Sequence, residues 1–216
     1  MNLIIFGPQA SGKGTQAEKI ASNYQIIHIS TGDIFRNNIS KGTELGRIAK
    51  EIINKGNLVP DDITNKIVEN RLAQKDCDKG FILDGYPRNY HQVEFLDKLH
   101  RKITRVINLD VPREELIKRI SNRRVCSDCK ANYNLIYIKP KKQGLCDECE
   151  GTLVQRDDDK PKAIEKRLNI YDNQTKQLLD FYQKKRCADK YQRRPAHRKG
   201  LQRHNQLTKL FKTLVA

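Results

Sequence analysis

The chain alternates between short apolar runs and longer amphipathic stretches. Leu3-Ile4-Ile5-Phe6, Ile26-Ile27-His28-Ile29, Gly80-Phe81-Ile82-Leu83-Asp84 and Arg105-Val106-Ile107-Asn108-Leu109 are four such runs, and their shortness and bounding residues predict buried strands. Between them, apolar positions recur at helical spacing. Ala17, Ile20 and Ala21 mark a helix over residues 13–23, and two short helices are predicted over about 32–40 and 44–54, parted by Lys41-Gly42. Ser30 and Thr31 can cap the first of these two. Asp61 is expected to cap a helix running to about Lys75, and further helices are predicted over about 89–98 and 113–122. Strands that alternate with helices favour a parallel sheet covered on both faces, an α/β fold.

The rhythm stops over residues 126–155, which are polar and turn-rich, and resumes near Pro161. Ile164, Leu168, Tyr171, Thr175, Leu178 and Leu179 then predict one long helix to about Lys185. Residues 186–206 show no strand alternation. Only Leu207, Leu210, Phe211, Leu214 and Val215 again suggest an amphipathic helix.

Composition changes this picture in two places. The 216 residues contain no run of 18 apolar residues, and the N-terminus enters the first strand directly, so a soluble cytoplasmic protein is expected. The net charge of +16 suggests nucleic acid until it is located: residues 184–216 hold eleven Lys or Arg against Asp189 alone, which assigns +10 to a basic C-terminal appendage. Of the six cysteines, four form two C-x-x-C pairs, Cys126/Cys129 and Cys146/Cys149, separated by sixteen residues. Two such pairs joined by a hairpin bring four thiolates to one ion, closing its coordination, so a structural zinc site is expected, with iron or a reducible pair of disulfides as the alternatives. Cys77 and Cys187 lack neighbours at ligand spacing.

The most specific chemistry lies at GPQASGKGT, residues 7–15. A glycine-rich loop between a strand and a helix N-terminus turns backbone N–H groups onto phosphate, and Lys13 adds a mobile positive charge. Gly14 stands where many such loops place a magnesium-binding hydroxyl, and the hydroxyl comes one residue later at Thr15. A magnesium ion is therefore expected to be held mostly through water and distant carboxylates. Arg36, Arg88, Arg119, Arg123, Arg156 and Arg167 are candidate phosphate clamps.

GPQASGKGTQA, HISTGDIFR, KGNLVPDD, GFILDGYPRN followed by Gln92, the Arg123-Arg124 pair, both cysteine pairs, and QRDDD followed by Lys166-Arg167-Leu168 resemble the adenylate kinases, in their long-lid, zinc-containing bacterial form. The resemblance covers residues 1 to about 183 and implies the P-loop nucleoside monophosphate kinase fold, a parallel sheet flanked by helices. It divides the chain into core (1–29, 60–121 and a helix at 160–185), a monophosphate-binding insert (30–59), a zinc lid (122–159) and an atypical basic segment (186–216). It implies reversible transfer of a phosphoryl group from magnesium-ATP to AMP, giving two ADP.

By the same resemblance, Gly7 and residues Ala10, Ser11, Gly12, Lys13, Gly14 and Thr15 hold the ATP phosphates. Arg119 lies against adenine, and Arg123, Arg156 and Arg167 close on the phosphoryl groups. Thr31, Val59, Gly85 and Gln92 serve AMP, whose phosphate meets Arg36 and Arg88; Asp84, with Asp33, orients magnesium. Lys13, Asp84, Arg88, Arg123, Arg156 and Arg167 are the expected catalytic set, and Asp158 and Asp159 an acidic pair at the closed lid. Asn122 replaces a glycine near a hinge, where asparagine's tolerance of left-handed backbone is expected to serve. Pro161 replaces an acidic residue at the start of the post-lid helix. A monomer is expected.

The C-terminal segment departs from the family, which ends in a strand and a helix. It reads as a divergent segment still passing along the sheet, as a basic arm, or as an altered reading of the coding sequence. The alternatives in function are a GTP:AMP or UMP/CMP kinase, or an impaired homologue with weak, non-specific nucleic-acid contact through the tail.

Overall fold

A computed structural model describes residues 1–185 and the backbone of 188–192. The apolar runs form strands β1 (Asn2–Phe6), β2 (Ile27–Ser30), β3 (Phe81–Asp84) and β4 (Arg105–Asp110), joined through helices α1 (Lys13–Tyr24), α2 (Thr31–Ser40), α3 (Glu44–Asn54), α4 (Asp61–Leu72) and α5 (Tyr90–Lys98). A helix α6 (Arg113–Ser121) follows β4. All pairings in this sheet are parallel, with Ile4 opposite Leu83 and Ile5 opposite Ile107. Because each strand is covered on both faces, its alternate residues enter different cores. Ile4, Phe6 and Leu83 pack with Val68, Val93 and Leu178, while Leu3, Ile5 and Ile82 pack against Ala17 and Ile20 of α1.

The α2–α3 pair has its own core around Phe35, Ala49 and Val59. Its helices cross so closely that a β-carbon on Gly46 would stand 2.1 Å from the Asn38 carbonyl oxygen. A second, three-stranded sheet contains β5 (Arg123–Cys126) flanked antiparallel by β6 (Asn132–Asn134) and β7 (Leu153–Val154). Its small core is Cys126, Tyr133 and Cys146.

Several expectations are corrected. Asp61 is the first residue of α4 rather than its cap; Pro60 stands at the cap position, and the Asp61 carboxylate instead accepts bonds from Asn89 Nδ2 and Gln92 Nε2. Asn122 ends α6 at φ −97°, outside the left-handed region, so the hinge requires no unusual backbone there. The helix after Pro161 is not continuous: α7 (Pro161–Ile170) passes into a π turn at Tyr171–Thr175 before α8 (Leu178–Lys184). The inserted residue lets the Thr175 hydroxyl donate to the Arg88 carbonyl at 3.0 Å, a tie that strict helical spacing does not reveal.

Of the three readings of the C-terminal segment, the described backbone agrees with the first. Its backbone forms β8 (Ala188–Gln192), parallel to β4, and completes the sheet order β2-β3-β1-β4-β8. Residues 188–192 thus pass along the sheet despite their polar sequence, because an edge strand is held by backbone hydrogen bonds and needs no long apolar run. The expected terminal helix and most of the basic arm lie outside the described residues.

Candidate active site

The loop between β1 and α1 is shaped by three residues with positive φ: Gly7 at 148°, Ala10 at 59° and Gly12 at 94°. At Gly7 a β-carbon would stand 2.9 Å from the Leu109 carbonyl oxygen, so only glycine lets the loop lie against β4. Gly12 occupies the α1 cap without a side-chain hydrogen bond to the first turn, leaving those amides directed at the loop's concave side. The Lys13 ammonium donates to the Pro8 carbonyl at 2.8 Å. Ser11 is buried behind the loop.

This loop forms one wall of a cleft of about 330 Å³. Ala10, Gly12, Lys13, Gly14 and Thr15 line it, as do Arg36, Asp84, Gly85, Arg88, Arg119, Arg123, Arg156 and Arg167. The sheet, the α2 insert, α7 and the cysteine-bearing unit therefore all contribute to one site. Gly7 lines a smaller neighbouring cavity with Arg88 and Arg167. Thr31, Val59 and Gln92 are buried outside the cleft lining. The Thr31 hydroxyl donates to the Gly85 carbonyl at 3.0 Å, while Gln92 Oε1 accepts the Arg88 amide at 2.8 Å.

Burial, with like charge behind it, lowers the cations of the cleft. Burial, reinforced by Arg88, Arg167 and Arg123 against the opposing pull of Asp84, lowers Lys13 to about 8. Burial followed by Arg167 pushes Arg88 down to about 10, and burial followed by Arg36 and Arg123 pushes Arg156 down to about 9. Arginines stay protonated in proteins, so these directions record an unmet demand for negative charge. Part of that demand is met locally. Asp159 accepts a two-pronged bond from Arg123, and Asp158 pairs with Arg167. Asp158 is buried, which opposes its ionisation, yet Arg167 and Arg123 hold it below the usual carboxylate range.

Asp84 ends β3 facing α1, and a β-carbon on Gly14 would lie 3.6 Å from its Oδ2. Thr15 and Asp33 line the same cleft as Asp84, and together these oxygens are a donor set suited to a hydrated divalent cation. His28 Nε2 lies 3.5 Å from Asp84 Oδ2. Asp33 itself pairs with Arg36 at 2.6 Å.

The cysteine pairs meet in a separate cluster. All four sulfurs lie within 4.8 Å of one another, with Cys126–Cys149 at 3.4 Å and Cys129–Cys146 at 3.5 Å. These separations approach the roughly 3.8 Å between sulfurs around a tetrahedral ion with 2.3 Å metal–sulfur bonds. Antiparallel strand pairing brings the two pairs together. Each forms its own tight turn, closed by Lys130 at φ 66° or Glu150 at φ 61°, with Cys126 N–H bonded to Ala131 O and Cys146 N–H to Gly151 O. Pairing of β5 with β7 then joins the two turns.

Residues that the sequence did not single out include Glu115 and Tyr137. Glu115 Oε1 accepts Arg119 Nε–H at 2.7 Å, and Oε2 accepts the Tyr137 hydroxyl at 3.1 Å. Asn132 similarly accepts from Arg156 at 3.1 Å. Glu115 and Arg119 are one helical turn apart, but Tyr137 and the Asn132–Arg156 pair are joined across more than twenty residues, and no local motif marks them.

The comparisons with known proteins agree in one direction. A family model described as adenylate kinase matches residues 5–187. An adenylate kinase from Caldanaerobacter subterraneus subsp. tengcongensis is 53% identical over 189 residues, covering 86% of this chain and 86% of the relative. Adenylate kinases from Acetivibrio thermocellus and Archaeoglobus fulgidus are 51% and 52% identical, each over 86% of this chain and 87% of the relative.

Proposed function

The chain belongs to the adenylate kinase family, and from that premise we propose that it transfers the γ-phosphoryl group of ATP reversibly to AMP, giving two ADP. The carrying observation is the convergence of Lys13, Arg88, Arg123, Arg156 and Arg167 with Asp84 around one cleft opened by the glycine-rich loop. A phosphate oxygen of AMP attacks the γ-phosphorus as its bond to the β-phosphate oxygen of ATP breaks. Catalysis here means holding these groups in line and stabilising their charge, with no protein nucleophile.

In this reading the amides of residues 10–15 and Lys13 hold the donor phosphates, with Gly7 shaping their loop. Arg123, Arg156 and Arg167 gather the transferring group, while Arg36 and Arg88 hold the acceptor phosphate. Thr31, Val59, Gly85 and Gln92 belong to acceptor recognition, with opening of the α2–α3 insert exposing the three that are buried. Residues 30–59 then act as the acceptor insert and 122–159 as a lid that excludes water. The lid's Asp158 and Asp159 link Arg167 and Arg123 across its junction with α7.

Asp84, with Asp33 and Thr15 nearby, fits a hydrated magnesium ion; when bound, magnesium neutralises phosphate charge. The four sulfurs fit zinc, which supplies folding energy to a lid with few buried side chains. We read the protein as a cytoplasmic monomer; none of the described helices is long and apolar enough to cross a membrane.

The test is a time course of ADP formation by the full chain, with ATP or GTP as donor and AMP, UMP, CMP or GMP as acceptor. Rapid magnesium-dependent turnover with ATP and AMP is expected. Turnover confined to another donor–acceptor pair, or none by a folded, zinc-loaded chain, overturns the assignment.

A further inference from the structure

Arg119 and Tyr137 both line the cleft, yet their surroundings suit a different ligand group from phosphate. One carboxylate holds both: Glu115 accepts the Arg119 Nε–H through one oxygen and the Tyr137 hydroxyl through the other. The Arg119 Cζ lies 5.6 Å from the Tyr137 ring centroid. The side chains of Arg119 and Glu115 are only 10% and 12% exposed, so their attraction is weakly screened. A phosphate approaching this arginine would also meet the charge of Glu115. A neutral, flat base meets no such repulsion, and gains a guanidinium and an aromatic ring on which to stack.

The same carboxylate spans two parts of the fold. Glu115 and Arg119 belong to α6, whereas Tyr137 belongs to the lid. Two further bonds tie these parts together: Asn134 Nδ2 donates to the Arg119 carbonyl at 2.9 Å, and the Leu135 amide to the Asn122 carbonyl at 2.9 Å. Burial and Glu115 both push the Tyr137 phenol up, outweighing the opposing influence of Arg119, so the hydroxyl remains a donor in neutral solution.

We propose that Glu115 is a positioning residue for the donor base, setting Arg119 and Tyr137 as one stacking surface and tying the lid to α6 as that surface forms. The inference rests on the proposed function and on the expectation, implied by the family resemblance, that Arg119 lies against the adenine of ATP. It adds a residue that does not itself line the cleft.

The experiment uses the full-length chain and E115A, E115Q, Y137F and R119A variants, each checked for cooperative thermal unfolding. It measures KM for ATP, KM for AMP, kcat and inhibition by inorganic tripolyphosphate, which carries donor-like charge without a base. E115A is expected to raise KM for ATP about tenfold, with KM for AMP and tripolyphosphate inhibition changed less than about twofold. E115Q, which still accepts a hydrogen bond, should fall between E115A and wild type. Y137F should cost less in the E115A background than in wild type.

Parallel weakening of ATP and tripolyphosphate overturns the proposal, as does an unchanged KM for ATP in E115A when R119A raises it. An unchanged KM for ATP in R119A instead removes the underlying base assignment, and the inference falls with it. Should E115A fail to fold, E115Q, Y137F and their double variant decide the matter by the same ATP-against-tripolyphosphate contrast.

Discussion

Raising the pH from about 7.5 to 9.5 is predicted to weaken ATP binding through Lys13 alone. Burial and neighbouring arginines lower this lysine from 10.5 to about 8 in the nucleotide-free protein, with Asp84 opposing the shift. A polyphosphate favours the ammonium form, so binding above pH 8 must take up a proton. If the bound lysine returns to its ordinary value of 10.5, affinity at pH 9.5 falls about 20-fold relative to pH 7.5. The arginines remain charged across this interval and contribute no comparable slope. Isothermal titration of ATP at pH 7.5, 8.5 and 9.5, in buffers of different ionisation enthalpy, reads both affinity and proton uptake. A K13M variant should bind weakly at every pH and lose the slope. Equal slopes in K13M and wild type, or no proton uptake by wild type near pH 9, refute the reasoning.

The Asp158–Arg167 pair gives a second test. Because Asp158 is held below its ordinary value of 3.8, its stabilising contribution is fully present above that value and is lost as pH falls through the lowered one. D158N should therefore lower stability by about 3 kcal/mol near neutrality and flatten the corresponding part of the acid limb in thermal melts; an unchanged limb contradicts this account. In the proposed lid, C146S should lose zinc and increase proteolysis within residues 122–159 while leaving most of the far-ultraviolet circular-dichroism signal. One zinc per wild-type chain is expected by a colorimetric release assay, and full zinc retention by C146S contradicts the four-thiolate assignment.

Local chemistry was legible where neighbouring residues carry it. Gly7, Gly12 and Lys13 announce the phosphate loop because its bends and donors lie within one turn of chain, and each C-x-x-C pair predicts a tight knuckle for the same reason. The four strands 2–6, 27–30, 81–84 and 105–110 follow from apolar runs that are buried on both faces. Features made by distant partners left no comparable trace. Glu115 meets Tyr137 only when the cysteine-bearing unit folds against α6, and Asp61 finds Gln92 only when α4 packs beside α5. The π turn places Thr175 by interrupting a helical period that the sequence otherwise continues. β8 could be offered only as one of three readings, because parallel pairing at an edge can be satisfied by backbone groups within a polar sequence.

The most direct measurement is the fate of the γ-phosphoryl group itself. Wild-type protein is mixed with ATP carrying a γ-phosphorus label, AMP and magnesium, quenched over successive milliseconds and separated into nucleotides, inorganic phosphate and protein. Direct transfer within a closed, cation-lined cleft predicts label in the β-phosphate of ADP at the first turnover, with negligible labelled phosphate. Label accumulating on the protein, or released to water at a rate matching ATP loss, would contradict the account.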